Sequence, residues 1–374
     1  MSKTVLFVAN RGYALTSSRE SLIRHFLGAN WTVVIATADD AESRHLVSLG
    51  AHLEPVHFNR GGLAIGSDIK AYRRLCAICR HRRPTLVQQF HTKPVIAGSI
   101  AARRTLGKNV RIVNTITGLG GTFLGSNLQS HIVGRGFKSA LSRSDATIFQ
   151  NADDQAMFLD MNLVPPLTNH LITGSGVDVD RFAVVDRTSH NPVAPVIVMI
   201  GRLLKSKGIP EFAEVASRIR KRWPKARFVL AGERDPNHPD SISDEWIQKQ
   251  PDIEFVGRLS DITPLLSEAD LFLFPSYYRE GVPRVIMEAA ATGLPTVAFD
   301  VPGVKEAVRN EQTGYLVADR DLDAMTSKLA LLIDDTSLRR DMGRAAREVA
   351  ATSFDVRTTQ ARYLTLYRSL GLTI

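Results

Sequence analysis

Short apolar runs rich in β-branched residues alternate along this chain with longer segments of helical periodicity. Parallel strands need a crossover of a dozen or more residues between them, so this alternation predicts parallel sheets with crossover helices. We expect two doubly wound α/β domains of the Rossmann type. The predicted strands are residues 4–9, 32–37, 53–57, 86–90, 111–115, 146–149 and 170–173 in the first half, then 196–200, 227–231, 253–256, 271–274, 296–299 and 315–317.

A polar segment separates the two series of strands. Residues 183–195 end in Asn-Pro-Val-Ala-Pro directly before a strand, which is typical of a linker. We therefore expect a first domain at residues 1–182, a second domain at residues 196–355 and a last helix at residues 356–374 that could pack back on the first domain. A chain of 374 residues with 44% hydrophobic content is long enough to bury two cores.

The composition of the chain argues against a membrane-spanning, a secreted or a zinc-binding protein. No apolar segment approaches the length of a transmembrane helix, and Met1 leads directly into a strand pattern without a secretory cleavage site. We expect a cytoplasmic protein. Cys76 and Cys79 form a single Cys-x-x-Cys pair within a helical pattern, without the second pair that a zinc site would need. We interpret them as buried thiols.

Positive charge is concentrated in the first half. The net charge is +9, and residues 1–182 hold 21 Lys and Arg against 12 Asp and Glu, whereas the remainder holds 26 of each. Residues 69–144 contain 14 basic and no acidic residues. This distribution predicts an anionic partner, and a membrane surface attracts basic residues by about 1 kcal/mol each. No nucleic acid is expected, because this segment has few aromatic residues for stacking and the sequence shows no zinc-finger, RRM or convincing helix-turn-helix pattern. A solvated basic face is the alternative.

Two carboxylates flank a junction between a loop and a helix in the second half. Glu280 follows the predicted strand at 271–274, and Glu288 lies in an apolar helix that we expect to begin near Pro283 and to end by Gly293. Open α/β sheets bind phosphorylated ligands at such a place, beside a helix N-terminus. Glu288 needs a polar partner among apolar neighbours, and a sugar or ribose hydroxyl would serve. Taken alone, both would be interpreted as ordinary surface acids.

A basic loop opens the second domain. Arg202 and Lys207 follow the strand at 196–200 and precede a helix, so both side chains could reach one diphosphate. A guanidinium fork and a compact ammonium suit a leaving group whose negative charge grows as its bond breaks. The loop lacks the spacing of a Walker motif. Arg258 and Leu259, after the next strand but one, could contact a base or ribose.

These motifs together resemble the donor domain of family-four retaining glycosyltransferases of GT-B fold. The resemblance implies two Rossmann-like domains facing across a cleft, with the donor diphosphate on Arg202 and Lys207, the ribose on Glu288, and the transferred sugar on Glu280 and the backbone that follows it. The matching segments are Gly201-Arg202, Lys207-Gly208, Gly257-Arg258-Leu259, Glu280-Gly281-Val282-Pro283, Glu288 and residues 291–297.

Motifs in the first half narrow the resemblance to a subgroup. Residues 89–94, 115–120, 150–154 and 174–182 are similar to bacterial enzymes that add a hexose or N-acetylhexosamine to an undecaprenyl-diphosphate-linked sugar. Such enzymes build O-antigen, capsule or N-glycan precursors. The resemblance implies a lipid-linked saccharide acceptor and a peripheral enzyme on the inner face of the cytoplasmic membrane.

The subgroup also implies roles for single residues in the first domain. His91 would lie near the donor sugar and the reacting centre, and Gly12 would let the backbone approach the donor phosphates. Glycines permit such close approach, or movement on closure. An aromatic residue usually precedes the subgroup's arginine, whereas here Ser18 does. The acceptor-side candidates are Arg19, Thr117, Gly118 and Gly120.

We expect no metal and no other cofactor. Asp178-Val179-Asp180 has the Asp-x-Asp pattern that binds metal in a different glycosyltransferase fold, but here we interpret it as a turn at a domain edge. Arg202 and Lys207 already supply the positive charge that a metal would bring.

The expected reaction moves a sugar from a nucleoside diphosphate, UDP in our interpretation, to a lipid-diphosphate-linked saccharide with retention at the anomeric carbon. An oxygen of the leaving diphosphate can take the acceptor proton, so no protein base is required. The alternatives are a sugar-nucleotide epimerase or hydrolase of the same fold, and a donor-binding protein without activity. A dehydrogenase is disfavoured, because residues 10–15 lack the Gly-x-Gly-x-x-Gly pattern.

Overall fold

The computed structural model describes residues 3–59, 64–119, 128–188, 190–191, 193–236 and 238–374. The chain divides into two compact units. The first unit is Met1–Ser175 together with Val356–Ile374, and the second is Gly176–Asp355. Each unit contains one parallel sheet with alternating helices, which confirms the predicted fold class.

The first unit is built on seven parallel strands. In the described residues these are β1 (Thr4–Val8), β2 (Thr32–Thr37), β3 (His52–Pro55), β4 (Leu86–Phe90), β5 (Arg111–Ile116), β6 (Ala146–Phe149) and β7 (Asn169–Leu171), in the order β3-β2-β1-β4-β5-β6-β7. Its crossover helices are α1 (Tyr13–Gly28), α2 (Ala41–Ser48), α3 (Ile65–Arg82), α4 (Thr92–Leu106), α5 (Leu128–Leu141) and α6 (Ala152–Asp160).

The second unit repeats this construction with six strands in its described part. These are β8 (Val196–Ile200), β9 (Arg227–Ala231), β10 (Glu254–Gly257), β11 (Leu271–Phe274), β12 (Thr296–Phe299) and β13 (Gly314–Val317), in the order β10-β9-β8-β11-β12-β13. The helices are α7 (Ile209–Arg222), α8 (Asp244–Gln248), α9 (Thr263–Glu268), α10 (Arg284–Ala291), α11 (Val304–Ala307), α12 (Leu322–Asp334) and α13 (Thr336–Ser353).

The predicted strands match the observed ones best where the strands are buried. β2, β4, β6, β8, β9, β11 and β12 have the predicted bounds, whereas the edge strands β3, β7 and β10 are shifted by one or two residues. An edge strand has one neighbour and is half exposed, so its apolar pattern is weaker and defines its ends less well.

Strand order reverses at one place in each sheet. β1 pairs with both β2 and β4, and β8 pairs with both β9 and β11. Helices leave in opposite directions at such a reversal, which opens a crevice at the carboxyl ends of the two central strands. In the second unit, the loops after β8 and β11 border this crevice. In the first unit, the loops after β1 and β4 do.

The last helix, α14 (Val356–Ser369), packs on the first unit, as the sequence suggested. Tyr363 and Tyr367 are almost fully buried in the core between α14 and the sheet. The Tyr367 hydroxyl donates to Gln88 Oε1 at 2.7 Å, and the Tyr363 hydroxyl lies 3.1 Å from Thr115 Oγ1. Buried polar side chains of β4 and β5 thus find their partners on the C-terminal helix.

The segment expected to be a linker belongs to the second unit. The units divide between Ser175 and Gly176, earlier than the predicted boundary at residue 182. Arg187 explains why residues 183–195 stay with the second unit, since its guanidinium donates to the carbonyls of Ala269, Leu266 and Thr292 at 2.6, 2.9 and 2.8 Å. Burial lowers the pKa of Arg187 to about 10.

Helix α3 is amphipathic and packs along the first unit's surface. Cys76 and Cys79 are free thiols on its buried face, as predicted, and burial raises the pKa of Cys79 to about 12. In the described ranges, no helix is both long and apolar enough to cross a membrane.

Replacement of Tyr367 by phenylalanine should destabilise the first unit. The change removes the hydroxyl that donates to the buried Gln88 Oε1, and a buried acceptor that loses its donor costs about 1–3 kcal/mol. Urea denaturation should therefore show a lower midpoint for the first unit. Tyr72→Phe is the matched control, because the Tyr72 hydroxyl meets Arg104 only at 3.4 Å on the surface. Equal effects of the two variants would contradict the role given to Tyr367.

Candidate functional site

The junction of β11 and α10 forms one wall of the candidate site. Pro283 has φ −61° and ψ 119°, so it is the N-cap residue and the helix begins at Arg284. This start agrees with the prediction of a helix that begins near Pro283, and the extended ψ of Pro283 keeps that residue just outside the first turn. The helix ends at Ala291, and Gly293 follows with φ +78°, as expected for a glycine stop.

Lys207 is a buried cation at the carboxyl end of β8. It closes the 3₁₀ turn Lys205–Lys207 and is only 5% exposed. Its ammonium forms an ion pair with Glu280 Oε1 from the loop after β11. Burial lowers the pKa of Lys207, and the Glu280 carboxylate opposes that shift. The structure thus joins two of the predicted site residues directly.

Arg202 lies close to the same place. Its Nη1 donates to Asp235 Oδ2 at 3.2 Å, and its Cζ is 5.7 Å from the centre of the Tyr278 ring. The Lys207 ammonium is 4.9 Å from the same ring. The two predicted diphosphate ligands therefore converge where the strand order reverses. The sequence did not single out Asp235 or Tyr278.

Glu288 is buried in the second turn of α10 and is paired. Arg284 Nε donates to Glu288 Oε1 at 2.6 Å, and Glu288 is 5% exposed. Burial raises the pKa of Glu288, and the nearby Arg284 guanidinium opposes this shift. Arg284 was not among the predicted site residues, although its spacing of four residues from Glu288 is the ordinary helix spacing for an ion pair.

Two glycines let the backbone approach closely around the site. Gly208 has φ +82°, and a Cβ there would lie 1.9 Å from Pro275 O. Gly303 has φ +87°, and a Cβ there would lie 1.8 Å from Gly281 O. The loops after β8 and after β12 are thereby packed against the backbone of the loop after β11. Only Gly208 belonged to a motif seen in the sequence.

The remaining predicted donor residues lie around this cluster. Val282 is buried in the core beneath the loop that contains Gly281, and Leu259 packs against the same core. Arg258 is largely exposed and lies 3.6 Å from Glu233, which follows β9. Their contacts with a donor remain predictions.

Gly12 has a structural reason to be glycine within the first unit. Its N–H donates to Asp40 Oδ2 at 3.0 Å, and a Cβ would lie 2.2 Å from Asp40 Oδ1. Asp40 in turn caps α2 through the N–H of Ser43. The approach of Gly12 to donor phosphates stays a prediction.

His91 has an unusual backbone conformation at the carboxyl end of β4. Its φ of +71° and ψ of 161° fall in a region populated almost only by glycine. A non-glycine residue there costs about 1–3 kcal/mol, and such strain is concentrated at functional sites. The strain marks His91 as a functional candidate, whereas its expected contact with the donor sugar remains untested.

Arg19 is buried and has its own contacts within the first unit. Its Nη1 donates to the carbonyls of Ser18 and Ser175, at 2.9 and 3.1 Å. Its Cζ lies 4.9 Å from the Phe90 ring and 5.1 Å from the Tyr363 ring. These contacts give Arg19 a structural role, and the acceptor-side role expected from the sequence stays a prediction.

The other acceptor-side candidates follow β5. Thr117 and Gly118 are half exposed, and Gly118 has φ +108°. Gly120 lies outside the described residues. Of the two candidate glycines in this loop, the structure therefore describes Gly118 but not Gly120.

The Asp-x-Asp segment forms a turn, as the sequence predicted. Asp178 Oδ1 accepts from the N–H groups of Asp180 and Arg181 at 3.1 and 3.0 Å. In the part of the chain that the structure describes, no three His, Cys, Asp or Glu side chains are grouped as a metal site.

Both halves of the chain match models of glycosyltransferase domains. Residues 194–335 match the family described as "Glycosyl transferases group 1", and residues 4–151 match "Glycosyl transferase 4-like". The first match contains Arg202, Lys207, Glu280 and Glu288. The chain belongs to the group 1, family 4-like glycosyltransferases.

Relatives support this assignment over the full length. The glycosyltransferase is 26% identical to the N,N'-diacetylbacillosaminyl-diphospho-undecaprenol alpha-1,3-N-acetylgalactosaminyltransferase of Campylobacter jejuni, over 96% of this chain and 97% of the relative. It is also 26% identical to the UDP-Gal:alpha-D-GlcNAc-diphosphoundecaprenol alpha-1,3-galactosyltransferase of Escherichia coli, over 79% and 78% of the two chains. Anabaena Alr3699/HepE in complex with UDP and glucose shares its fold, with a TM-score of 0.78, 19% identity and coverage of 98% and 100%.

Replacement of Gly208 by alanine should destabilise the second unit of this glycosyltransferase. The Cβ would meet Pro275 O, and alanine at φ +82° is strained, which together cost about 2–4 kcal/mol. Calorimetry should show a lower melting temperature for that unit. Gly201→Ala is the control in the same loop, because a Cβ there meets nothing within 4 Å. If Gly208→Ala melts like the wild type, the close approach described here is wrong.

Proposed function

We propose that this glycosyltransferase moves a hexose or N-acetylhexosamine from a UDP-sugar to an undecaprenyl-diphosphate-linked saccharide in bacterial surface polysaccharide or glycan assembly. The observation that carries the proposal is the meeting of Arg202, Lys207 and Glu280 at the strand reversal of the second unit. The names of the Campylobacter jejuni and Escherichia coli relatives support a diphosphoundecaprenol-linked acceptor, and the name of the Escherichia coli relative gives UDP-Gal as its donor.

The donor diphosphate would bind to Arg202 and Lys207. A diphosphate carries more negative charge than one carboxylate, so it would displace Glu280 from the Lys207 ammonium. Glu280 would then be available to accept hydrogen bonds from the sugar hydroxyls. The phosphate charge would also keep the buried ammonium protonated, in place of the carboxylate.

The nucleoside would bind along α10 and the neighbouring loops. Glu288 would accept hydrogen bonds from the ribose hydroxyls, and the Arg284 guanidinium opposes the rise in the pKa of that carboxyl which burial causes. Arg258 and Leu259 would border the base and ribose.

Transfer would break the bond between the anomeric carbon and the diphosphate oxygen. The electron pair stays with the diphosphate, and Arg202 and Lys207 stabilise the charge that develops there. The acceptor hydroxyl oxygen forms the new bond to the anomeric carbon and passes its proton to a phosphate oxygen. Retention of configuration is proposed from the family resemblance, and His91 is proposed to help orient the donor.

Mass analysis of reactions with the purified full-length protein tests this function. The protein would receive UDP- and GDP-sugars, each with and without an undecaprenyl-diphosphate-linked saccharide. We expect one UDP-sugar to lengthen the acceptor by one residue.

Lys207→Ala should lower kcat about 10²–10³-fold, because a group that stabilises the leaving charge is lost. Lys205→Ala, which removes an exposed lysine from the same turn, should leave the rate nearly unchanged.

Other outcomes would identify the alternatives. Release of free UDP without an acceptor would indicate an epimerase or hydrolase, and donor binding without turnover would indicate a silent binding protein. Transfer at the wild-type rate by Lys207→Ala would contradict the proposed site.

We also propose that the first unit attaches peripherally to the inner face of the cytoplasmic membrane. The 14 basic residues of the acid-free segment are not all available, because several are paired in space with acids from outside it. These pairs are Arg74 and Arg82 with Glu54, Lys93 with Asp68, and Arg103 and Arg111 with Asp145.

Helix α3 supplies the face best suited to such a membrane contact. Lys70, Arg73 and Arg80 are exposed along one side of the helix. Ile65 and Ile69 are exposed by 72% and 46% at its first two turns. Apolar side chains beside a basic stripe are typical of helices that lie in a membrane interface. We therefore propose that α3 faces anionic lipid.

Charge reversal on α3 tests the membrane contact. Replacing Lys70, Arg73 and Arg80 together by glutamate should weaken binding to vesicles that contain anionic lipid, since each basic residue contributes about 1 kcal/mol. The loss should be at least about 100-fold in a sedimentation assay at low salt. The control reverses three exposed basic residues of the second unit, Lys221, Lys225 and Arg340. Equal losses in both variants would show a nonspecific charge effect and contradict the proposal.

A further inference from the structure

Tyr278 lies beside both cations of the site in the second unit. The centre of its ring is 4.9 Å from Lys207 Nζ and 5.7 Å from Arg202 Cζ. Both distances are within the roughly 6 Å over which the face of an aromatic ring attracts a cation. The Tyr278 N–H donates to the hydroxyl of buried Ser276 at 3.3 Å, which anchors the backbone that carries the ring.

The two cations need a partner that remains when the donor arrives. Without a ligand, Glu280 neutralises Lys207 and Asp235 neutralises Arg202. In the proposed function the diphosphate displaces Glu280 from Lys207. An aromatic ring attracts cations without a net charge of its own, so it does not compete with phosphate. Tyr278 can therefore hold both cations before and after the exchange.

We infer that Tyr278 is a positioning residue that holds Arg202 and Lys207 together, so that both contact one diphosphate without rearrangement. The inference rests on the proposed function, in which these two cations bind the leaving diphosphate. Preorganised charges cost little reorganisation when the ligand binds or when charge develops. Tyr278 is half-buried, and Lys207, whose ammonium lies 4.9 Å from the ring centre, is 5% exposed.

Binding of UDP and of uridine to the full-length protein tests the inference. Tyr278→Leu keeps an apolar side chain but removes the ring, and it should weaken UDP binding about ten-fold. Tyr278→Phe keeps the ring and should stay within about two-fold of the wild type. Uridine has no phosphate, so its dissociation constant should be the same for the wild type, Tyr278→Leu and Tyr278→Phe.

A matched control comes from the preceding residue. Tyr277 belongs to the same loop, but its ring lies 4.5 Å from the guanidinium of Arg320. Tyr277→Leu should therefore bind UDP like the wild type. Calorimetric melting of each variant would show that the second unit is folded.

Four results would overturn the inference. Tyr278→Leu could bind UDP normally while Lys207→Ala binds it weakly, which would leave the proposed function intact. Tyr278→Phe could be as weak as Tyr278→Leu, which would assign the effect to the hydroxyl. Uridine binding could fall in parallel with UDP binding, which would indicate a general distortion of the loop. If Lys207→Ala itself binds UDP normally, the proposed function fails and the inference with it.

Discussion

Parallel pairing of the strands is the constraint on which the candidate site depends. Because all strands of a parallel sheet run in one direction, their carboxyl ends and the loops that follow lie along one edge. β8 and β11 are separated by β9 and β10 in the chain, yet they are neighbours in the sheet, with Ile197 opposite Leu271. This pairing brings Lys207 to Glu280 across 73 positions of sequence. The helices between the strands serve mainly to make that order sterically possible.

The site contains charges that are expensive to bury. Lys207 and Glu288 are each 5% exposed. Burial lowers the pKa of Lys207 and raises the pKa of Glu288, and both shifts favour the neutral form of the side chain. Each has one partner of opposite sign, Glu280 or Arg284, that opposes this shift. A buried charge whose partner can be exchanged for a ligand is a suitable place to bind an anion, because the ligand meets a group that has already lost its water.

Basic residues in this chain have two different roles, which net charge alone does not separate. Arg19, Arg187 and Arg347 direct their guanidinium groups to backbone carbonyls inside the units. Arg347, for example, donates to Ala291 O at the end of α10 and so holds the helix that carries Glu288. Lys70, Arg73 and Arg80 are exposed on α3 instead. Of the interior group, Arg19 belongs to the first half, and other basic residues of that half are paired with Glu54, Asp68 or Asp145. The net charge of the first half therefore overstates the charge available to a partner.

The sequence by itself determined the fold class and most strand bounds, and it predicted the candidate donor residues Arg202, Lys207, Glu280 and Glu288. It could do so because apolar periodicity, loop glycines and the basic and acidic residues at strand ends are local properties of the chain. It did not determine the unit boundary at Ser175, the pairing of Arg284 with Glu288, or the interior contacts of Arg19. Tyr278 was one aromatic residue among many until the strand order placed it beside Arg202 and Lys207. Such contacts join residues that are far apart in the chain. Only the tertiary structure decides which of these residues meet, because their distances depend on the order of the strands in the sheet and on side-chain packing, and a local sequence pattern specifies neither.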